Sequence, residues 1–345
     1  MKKFLLLALT LVLSAPVFTD GAEDKKISVY IANSYNPDTF GWTKEVVSGI
    51  ITGFEKKGMV QGLDYKIITD TMDALVKTSE TEMKKEADRI LQEIKNIKPD
   101  IVITTDDDAL KHIGLKIDNI PVIFNGVNGI PLEYLESPEI DSIEKPGHNI
   151  TGVYQTTYFT QSLNLLKQFY PDIKTFAVIT DELTTSIALI KDIEQQKNTL
   201  PLALKDTLVS EHFSKWKEKI MEWQDKVDCL FVFSNNSVKD DNGQVMMSKD
   251  VTEWIVENSK LPDTCPWAYQ VNEGILVSAS DSGTEQGLHA AYMAVQILNG
   301  TDPGSIPIIT PPKGTPVINE KRAKKLKTVI PAEILSHFIE FGKIF

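Results

Sequence analysis

The chain has 345 residues, 42% of them hydrophobic, and a formal net charge of −12 at pH 7. That length exceeds what one hydrophobic core usually organises, so two lobes are expected. An acidic balance without a basic run excludes binding to a phosphate backbone, and no nucleic-acid partner is expected.

Lys2 and Lys3 precede an apolar run from Phe4 to Phe18, which gives way to Thr19-Asp20-Gly21-Ala22. This order of basic, apolar and small polar residues is that of a secretory signal, and the run is shorter than the roughly 20 residues that span a bilayer. Removal of residues 1–22 is expected, which places the mature chain in the periplasm or outside the cell. No cysteine follows the run, against a lipid-anchored form.

Short β-rich apolar runs then alternate with stretches of 3.6-residue period, the pattern of parallel βαβ units. Ile27 to Ile31 reads as a strand, and Val46, Val47, Ile50, Ile51 and Phe54 as one helical stripe ended by Lys56-Lys57-Gly58. Tyr65 to Ile68 is the next strand, followed by a helix through Met83, Ala87, Ile90, Leu91 and Ile94. Ile101 to Thr104, a short helix near Ala109 to Gly114, and Val122 to Phe124 complete the first set.

After a Pro-, Gly- and acid-rich stretch from Pro131 to His148 the alternation restarts. Ile150 to Val153, Phe176 to Ile179, a weaker Leu202 to Leu204, Leu230 to Phe233 and Ile275 to Val277 read as strands. Helices are expected through Phe159, Leu163 and Leu166, through Ile187, Ile190 and Ile193, through Trp216, Ile220 and Trp223, and through Val251, Trp254 and Ile255. A last helix through Leu288, Ala291, Tyr292, Val295 and Leu298, and the Pro/Gly-rich stretch 299–316, form a third block able to return to the first lobe and build a hinge.

In open parallel sheets ligands bind at the carboxyl ends of the strands. The segments there hold Ser34, Tyr35 and Trp42; Asp106 and Asp107; Asn125 and Asn128; Thr184, Thr185 and Ser186; Asn235; and Tyr269. These hydroxyls, amides, carboxylates and aromatic faces suit a pocket that hydrogen-bonds a polar solute and covers its apolar part. N-capping demands the same residue types, and helix-dipole compensation explains Asp106 to Asp108 as well as a cation does. No metal and no cofactor are expected. His112, His148, His212, His289 and His337 are scattered, and no nucleophile elbow, P-loop, G-x-G-x-x-G or zinc-type His pair is present, so no catalysis is expected. Cys229 and Cys265 each sit where a buried strand begins; a disulfide and two separate buried thiols fit them equally.

Several segments resemble, in order, those of a known family. They include Ser34-Tyr35-Asn36-Pro37 with Trp42, Lys98-Pro99-Asp100-Ile101 with Asp106-Asp107-Asp108, and Pro121-Val122-Ile123-Phe124-Asn125-Gly126-Val127-Asn128. Asn149-Ile150-Thr151-Gly152-Val153, Gly274-Ile275-Leu276-Val277-Ser278, Glu285-Gln286-Gly287 and Val317-Ile318-Asn319 follow. Together these are similar to the type I periplasmic substrate-binding proteins of the ABC transporter substrate-binding family, in its tryptophan- and tyrosine-uptake-like group. The resemblance implies an α/β fold of two Rossmann-like lobes with parallel sheets joined by a multi-strand hinge. On it, lobe 1 takes residues 27–153 with about 281–302, and lobe 2 takes 154–280 with about 303–345. It implies a ligand held between the lobes by the residues named above. The sequence departs from the family at Ser280-Asp281-Ser282, where bulkier residues are usual, and Asp281 is not carried over.

The expected function is capture of a small organic solute, an amino acid or carboxylate, by a monomer that delivers it to a membrane ABC permease. A sensor that signals to a separate membrane kinase or cyclase is the alternative.

Overall fold

A computed structural model of the chain describes residues 26–74, 76–77, 79–127 and 140–345. The expected signal segment and Asn128 lie outside these residues.

The first sheet is built from β1 (Ile27–Asn33), β2 (Tyr65–Thr71), β3 (Ile101–Thr105), β4 (Val122–Val127) and β5 (Ile150–Tyr154), in the order β2-β1-β3-β4-β5. Every pairing is parallel, so all five carboxyl ends share one edge. β5, which the alternation alone grouped with the second set and the family resemblance grouped with lobe 1, closes this first sheet. Side chains alternate between two faces, as strand geometry demands. Val29 and Ile31 pack with Val46, Ile50 and Phe54 of α1 (Gly41–Lys56), whereas Tyr30 and Ala32 pack with Ala87, Ile90 and Ile94 of α2 (Glu80–Ile97). The short α3 (Asp106–His112) starts directly from the end of β3.

The second sheet comprises β6 (Thr175–Thr180), β7 (Ala203–Val209), β8 (Cys229–Val232), β9 (Asp263–Thr264), β10 (Val277–Ser280), β11 (Thr315–Ile318) and β12 (Lys343–Ile344). Its order is β12-β11-β10-β9-β8-β6-β7, parallel except where β11 runs against β10. α4 (Phe159–Phe169) and α5 (Thr184–Gln196) cover the face carrying Phe176, Val178 and Phe231. α6 (Phe213–Trp223) and α7 (Ser248–Asn258) cover the face carrying Ala177, Ile179 and Leu230. The short α8 (Ala268–Glu273) follows β9.

α9 (Gly283–Leu298) leaves the second sheet and lies on α1 of the first. The two helices touch backbone to backbone: a Cβ at Gly287 would stand 2.0 Å from the Val46 carbonyl oxygen, and one at Gly49 2.2 Å from that of Thr284. Only glycine permits that approach, and it holds the first turns of α9 against the carboxyl edge of the first sheet. The chain stays with the first sheet past residue 302: Gly304 O accepts from Gly147 N, Ile306 O accepts from Thr151 Oγ1 at 2.8 Å, and Ile309 bridges Val153. It then enters β11, and α10 (Glu320–Lys325) and α11 (Ala332–Phe341) follow on the second sheet. Among the described residues the chain therefore crosses between the sheets three times, at 155–158, 281–282 and 310–314. The crossings are tied together: Tyr154 N donates to Ile309 O at 2.9 Å, and the Tyr158 hydroxyl to Pro311 O at 2.7 Å.

Cys229 and Cys265 are both free and buried, which closes the disulfide alternative. Leu230 pairs with Asp263 and Phe231 with Thr264, so Cys265 stands level with Val232, three residues beyond Cys229. An odd offset puts the two thiols on opposite faces, Cys229 among Phe176 and Phe231, Cys265 among Leu230 and Ile275.

Candidate functional site

At the carboxyl edge of the first sheet, Asp106 opens α3 in a left-handed conformation, φ +66°, and is only 4% exposed. Its Oδ1 accepts from the Trp42 indole N–H at 3.0 Å, while Oδ2 is buried without a hydrogen-bond partner. Burial first, then the charge of Asp107, raises its pKa well above the usual carboxylate range against the pull of Trp42. Tyr35 sits beside the same acidic turn, its phenol pushed up by burial and then by Asp106, Asp108 and Asp107.

β4 delivers the next two residues. Asn125 is fully buried; its Nδ2 donates to Thr104 O at 3.3 Å, which fixes the amide orientation and leaves Oδ1 unpartnered. Gly126 has φ +69°, and a Cβ there would meet Asp106 Oδ1 at 3.2 Å and Trp42 Nε1 at 3.3 Å. Its N–H donates to Gln286 Oε1 at 3.1 Å, and Gln286 Nε2 reaches Tyr154 O at 3.2 Å and Asp281 Oδ1 at 3.4 Å. Asp281 follows directly on β10, so the carboxyl edges of the two sheets meet through this chain from Asp106 to Asp281. Asp281 Oδ2 is a third buried oxygen without a partner. Burial pushes this carboxyl up to about 7, opposed by hydrogen bonds from Ser282 N, Gln286 and the Thr156 backbone.

The second sheet presents a different network at its carboxyl edge. Asp181, fully buried after β6, accepts from the Ser186 hydroxyl, from Ser234 Oγ at 2.9 Å and from Ser237 N at 3.0 Å. Asn236 Nδ2 donates to Ser234 Oγ and to the Tyr269 hydroxyl, each at 3.2 Å. The half-exposed Tyr269 ring runs nearly parallel to that of Trp267, 16° between planes and 6.0 Å between centroids.

Of the residues expected from sequence, the structure brings together Tyr35, Trp42, Asp106 and Asn125 on one side, with half-buried Asp107 on the same helix, and sets Tyr269 at the carboxyl edge of the second sheet. Three others spend their polar groups locally. Ser34 Oγ donates to Thr105 O and accepts from Ala109 N, both at 2.8 Å, and so caps α3. Asn235 is committed to Ser248 and Thr252 at the start of α7, and Ser186 to Asp181. Thr184 and Thr185 begin α5, and their side chains lie outside the described residues. Gln286, Asp181, Asn236 and Trp267 were not among the expected residues, and Asp281 had been set aside. A glutamine on the glycine-lined, buried side of an apolar helix was the one visible signal among them.

Among the described residues no group of three or more His, Cys, Asp or Glu could hold a metal ion, and no helix is long and apolar enough to cross a membrane. A concavity lined by Phe169, Tyr170, Asp172 and Asp228 lies at the amino end of β8, away from these groups.

The sequence matches the family model described as ABC transporter substrate binding protein over residues 44–340. A tyrosine-binding protein of Clostridioides difficile (strain R20291) is 24% identical over 287 residues, 78% of this chain and 80% of that protein. In fold, the chain is similar to the ligand-free, open structure of a substrate binding protein with adhesive properties from Clostridium difficile, at TM-score 0.72 and 18% identity over 92% of this chain and 99% of that one. It is also similar to an ABC domain from Streptococcus pneumonia in complex with L-Trp, at TM-score 0.61 and 20% identity over 93% of this chain and 100% of that one. The two-sheet architecture is that of the type I periplasmic binding proteins, and the chain belongs to the ABC transporter substrate binding protein family.

Proposed function

We propose that this chain is exported, captures an amino acid of the aromatic type between its two lobes, and presents the closed form to a membrane ABC permease as a monomer. The observation that carries this reading is the run of groups from buried Asp106 through Gly126 and Gln286 to half-buried Asp281, with buried unpartnered oxygens at both ends. Buried polar atoms are ordinarily satisfied, and a cluster of exceptions at the carboxyl edge of two parallel sheets is where a ligand belongs. Tyr35, Trp42, Asp106, Asn125, Gln286 and Asp281 form the first wall of this pocket, and Trp267, Tyr269 and Asn236 the facing one. Ser34, Ser186 and Asn235 hold these walls in shape without touching the solute. The three crossings serve as the hinge, with lobe 1 taking residues 27–154 and 283–309 and lobe 2 taking 159–280 and 315–345.

The tyrosine-binding relative supports an aromatic amino acid as the solute. A thermal-shift screen of the purified protein over amino acids, organic acids, nucleosides and sugars tests it. Aromatic amino acids at about 100 times Kd add roughly 2.7 kcal/mol of apparent stability, a rise of several degrees. A rise with sugars or nucleosides and none with any amino acid contradicts the reading.

A further inference from the structure

We infer that the hairpin after β8 is a clasp for the cleft: on closure its outward Val245 and the adjoining Met247 pack against the lobe 1 turn that carries Val76, and this contact holds the closed form around the solute. The inference rests on the lobe closure proposed above and names where that closure is secured.

The hairpin is firmly built and carries apolar side chains outward. Lys239 bridges Val245 in antiparallel fashion, and Met246 N donates to Val238 O at 2.8 Å. The turn between them is organised by Asp240, whose Oδ1 accepts from Asn242 N and Gln244 N, with Gly243 at φ +78°. Successive side chains of an extended segment alternate in direction. Met246 accordingly packs with buried Val238 against the core of lobe 2, while Val245 and Met247 are 61% and 69% exposed. The apolar exposure continues along the same carboxyl edge at Leu183, Ile187 and Tyr269, which joins the clasp to the pocket wall.

Topology supplies the partner. Lys239 N donates to Glu211 O and Phe213 N to Lys239 O, so the hairpin is pinned to the segment after β7, an edge strand of the second sheet. The crossings join that sheet at β10 and β11, which leaves the hairpin far from the hinge. In the first sheet the chain crosses from β5, and the opposite edge strand is β2. After β2, Met72 N donates to Asn33 O and Ala74 N to Ser34 O, both at 2.9 Å, which fixes the next turn to the carboxyl end of β1. Asp73 O then accepts from Val76 N, and Val76 is 74% exposed. The two carboxyl edges already meet beside the hinge through Gly126, Gln286 and Asp281. Rotation about that end carries the far ends through the longest arc, so turn and hairpin come together only in the closed form. Apolar surface that is wet when open and covered when closed favours closure, and a solute held by it leaves slowly.

Cross-linking of the full-length mature protein tests the contact. Val76→Cys with Val245→Cys is treated with a short bismaleimide, the two native thiols being buried. Saturating L-tyrosine is expected to speed the cross-link about tenfold or more, since it raises the closed population. Val76→Cys with Ile339→Cys, whose second site is 68% exposed on α11, serves as the control and is expected to stay unlinked. In a separate arm, Val245→Asp with Met247→Asp weakens L-tyrosine binding about tenfold, through faster dissociation, and leaves the melting temperature of the ligand-free protein unchanged. Cross-linking no faster than in the control, with or without L-tyrosine, or wild-type affinity in the double aspartate variant, overturns the clasp and leaves solute capture standing. Cross-linking that exceeds the control but does not respond to L-tyrosine upholds the clasp and removes the tyrosine-type solute.

Discussion

Asp106→Ala weakens binding of L-tyrosine by two orders of magnitude or more, while the melting temperature of the ligand-free protein changes by no more than a few degrees. The loss follows from removing a charge-assisted hydrogen bond in a buried site, which contributes more than a neutral one. The empty protein tolerates the change because the carboxylate is itself a burden there: it is buried with one oxygen unpaired. Titration calorimetry and a melting curve check the two halves. Full affinity in the variant contradicts the site.

The same groups fix the pH dependence. Asp106 and Asp281 are both raised, chiefly by burial, and Asp281 stands at about 7. Asp107, Asp108 and Tyr35 face Asp106, and Tyr158 and Glu285 lie near Asp281. An ammonium prefers ionised carboxylates, so below about 7 it must displace the Asp281 proton; affinity falls from pH 8 to pH 6, and binding at neutral pH releases protons. Stability of the empty protein runs the other way. Folded-state values above the unfolded ones mean the native state holds more protons, so stability from these groups is lost as pH rises from the usual carboxylate range through about 7.

Arg322→Met lowers folding stability by about 3–5 kcal/mol, the range for breaking a buried ion pair from one side. Arg322 is 1% exposed and Asp263 fully buried. The guanidinium donates through Nε to Asp263 at 3.1 Å and through its two amino nitrogens to the carbonyls of Val256, Ser259 and Leu261. Asp263 Oδ1 in turn accepts from Leu276 N at 2.7 Å. One side chain thus ties α10 to β9, β10 and the end of α7, and its loss strands a buried carboxylate. Urea denaturation measures the cost, and the double variant Arg322→Met with Asp263→Leu recovers most of it because no charge is left unpaired. A cost below about 1 kcal/mol would place the pair among surface ion pairs in effect.

The strands that sequence revealed most clearly are those that are apolar on both faces, such as Val29 to Ala32 and Phe176 to Ile179. β11 and β12 were hidden, and β9, expected to begin at Cys265, ends just before it at Thr264: β9 and β12 are two residues long, β9 lies between Pro262 and Pro266, and β11 contains Pro316. Such segments become strands only because the sheet supplies partners distant in the chain, as Ser278 does for Val317. Trp42 and Asp106 were legible as candidates because each follows a recognisable strand. Ser34 and Asn235 looked alike in sequence and make hydrogen bonds at helix starts, since a side chain that caps a helix and one that holds a solute have the same chemistry. Gln286 meets Gly126 across 160 positions, a contact that no local pattern encodes.

The central claim is that two walls approach one another around a solute. Spin labels at Thr39→Cys, on the exposed loop after β1, and Glu182→Cys, on the exposed loop after β6, report the gap between them. The native thiols do not interfere: both are buried, and burial raises each well above the ordinary thiol range. Double electron–electron resonance is predicted to show the label distance shorten by about 5 Å or more when saturating L-tyrosine is added, as a hinged two-lobe protein requires. Saturation with L-tyrosine, verified calorimetrically, that leaves the distance distribution unchanged would contradict closure.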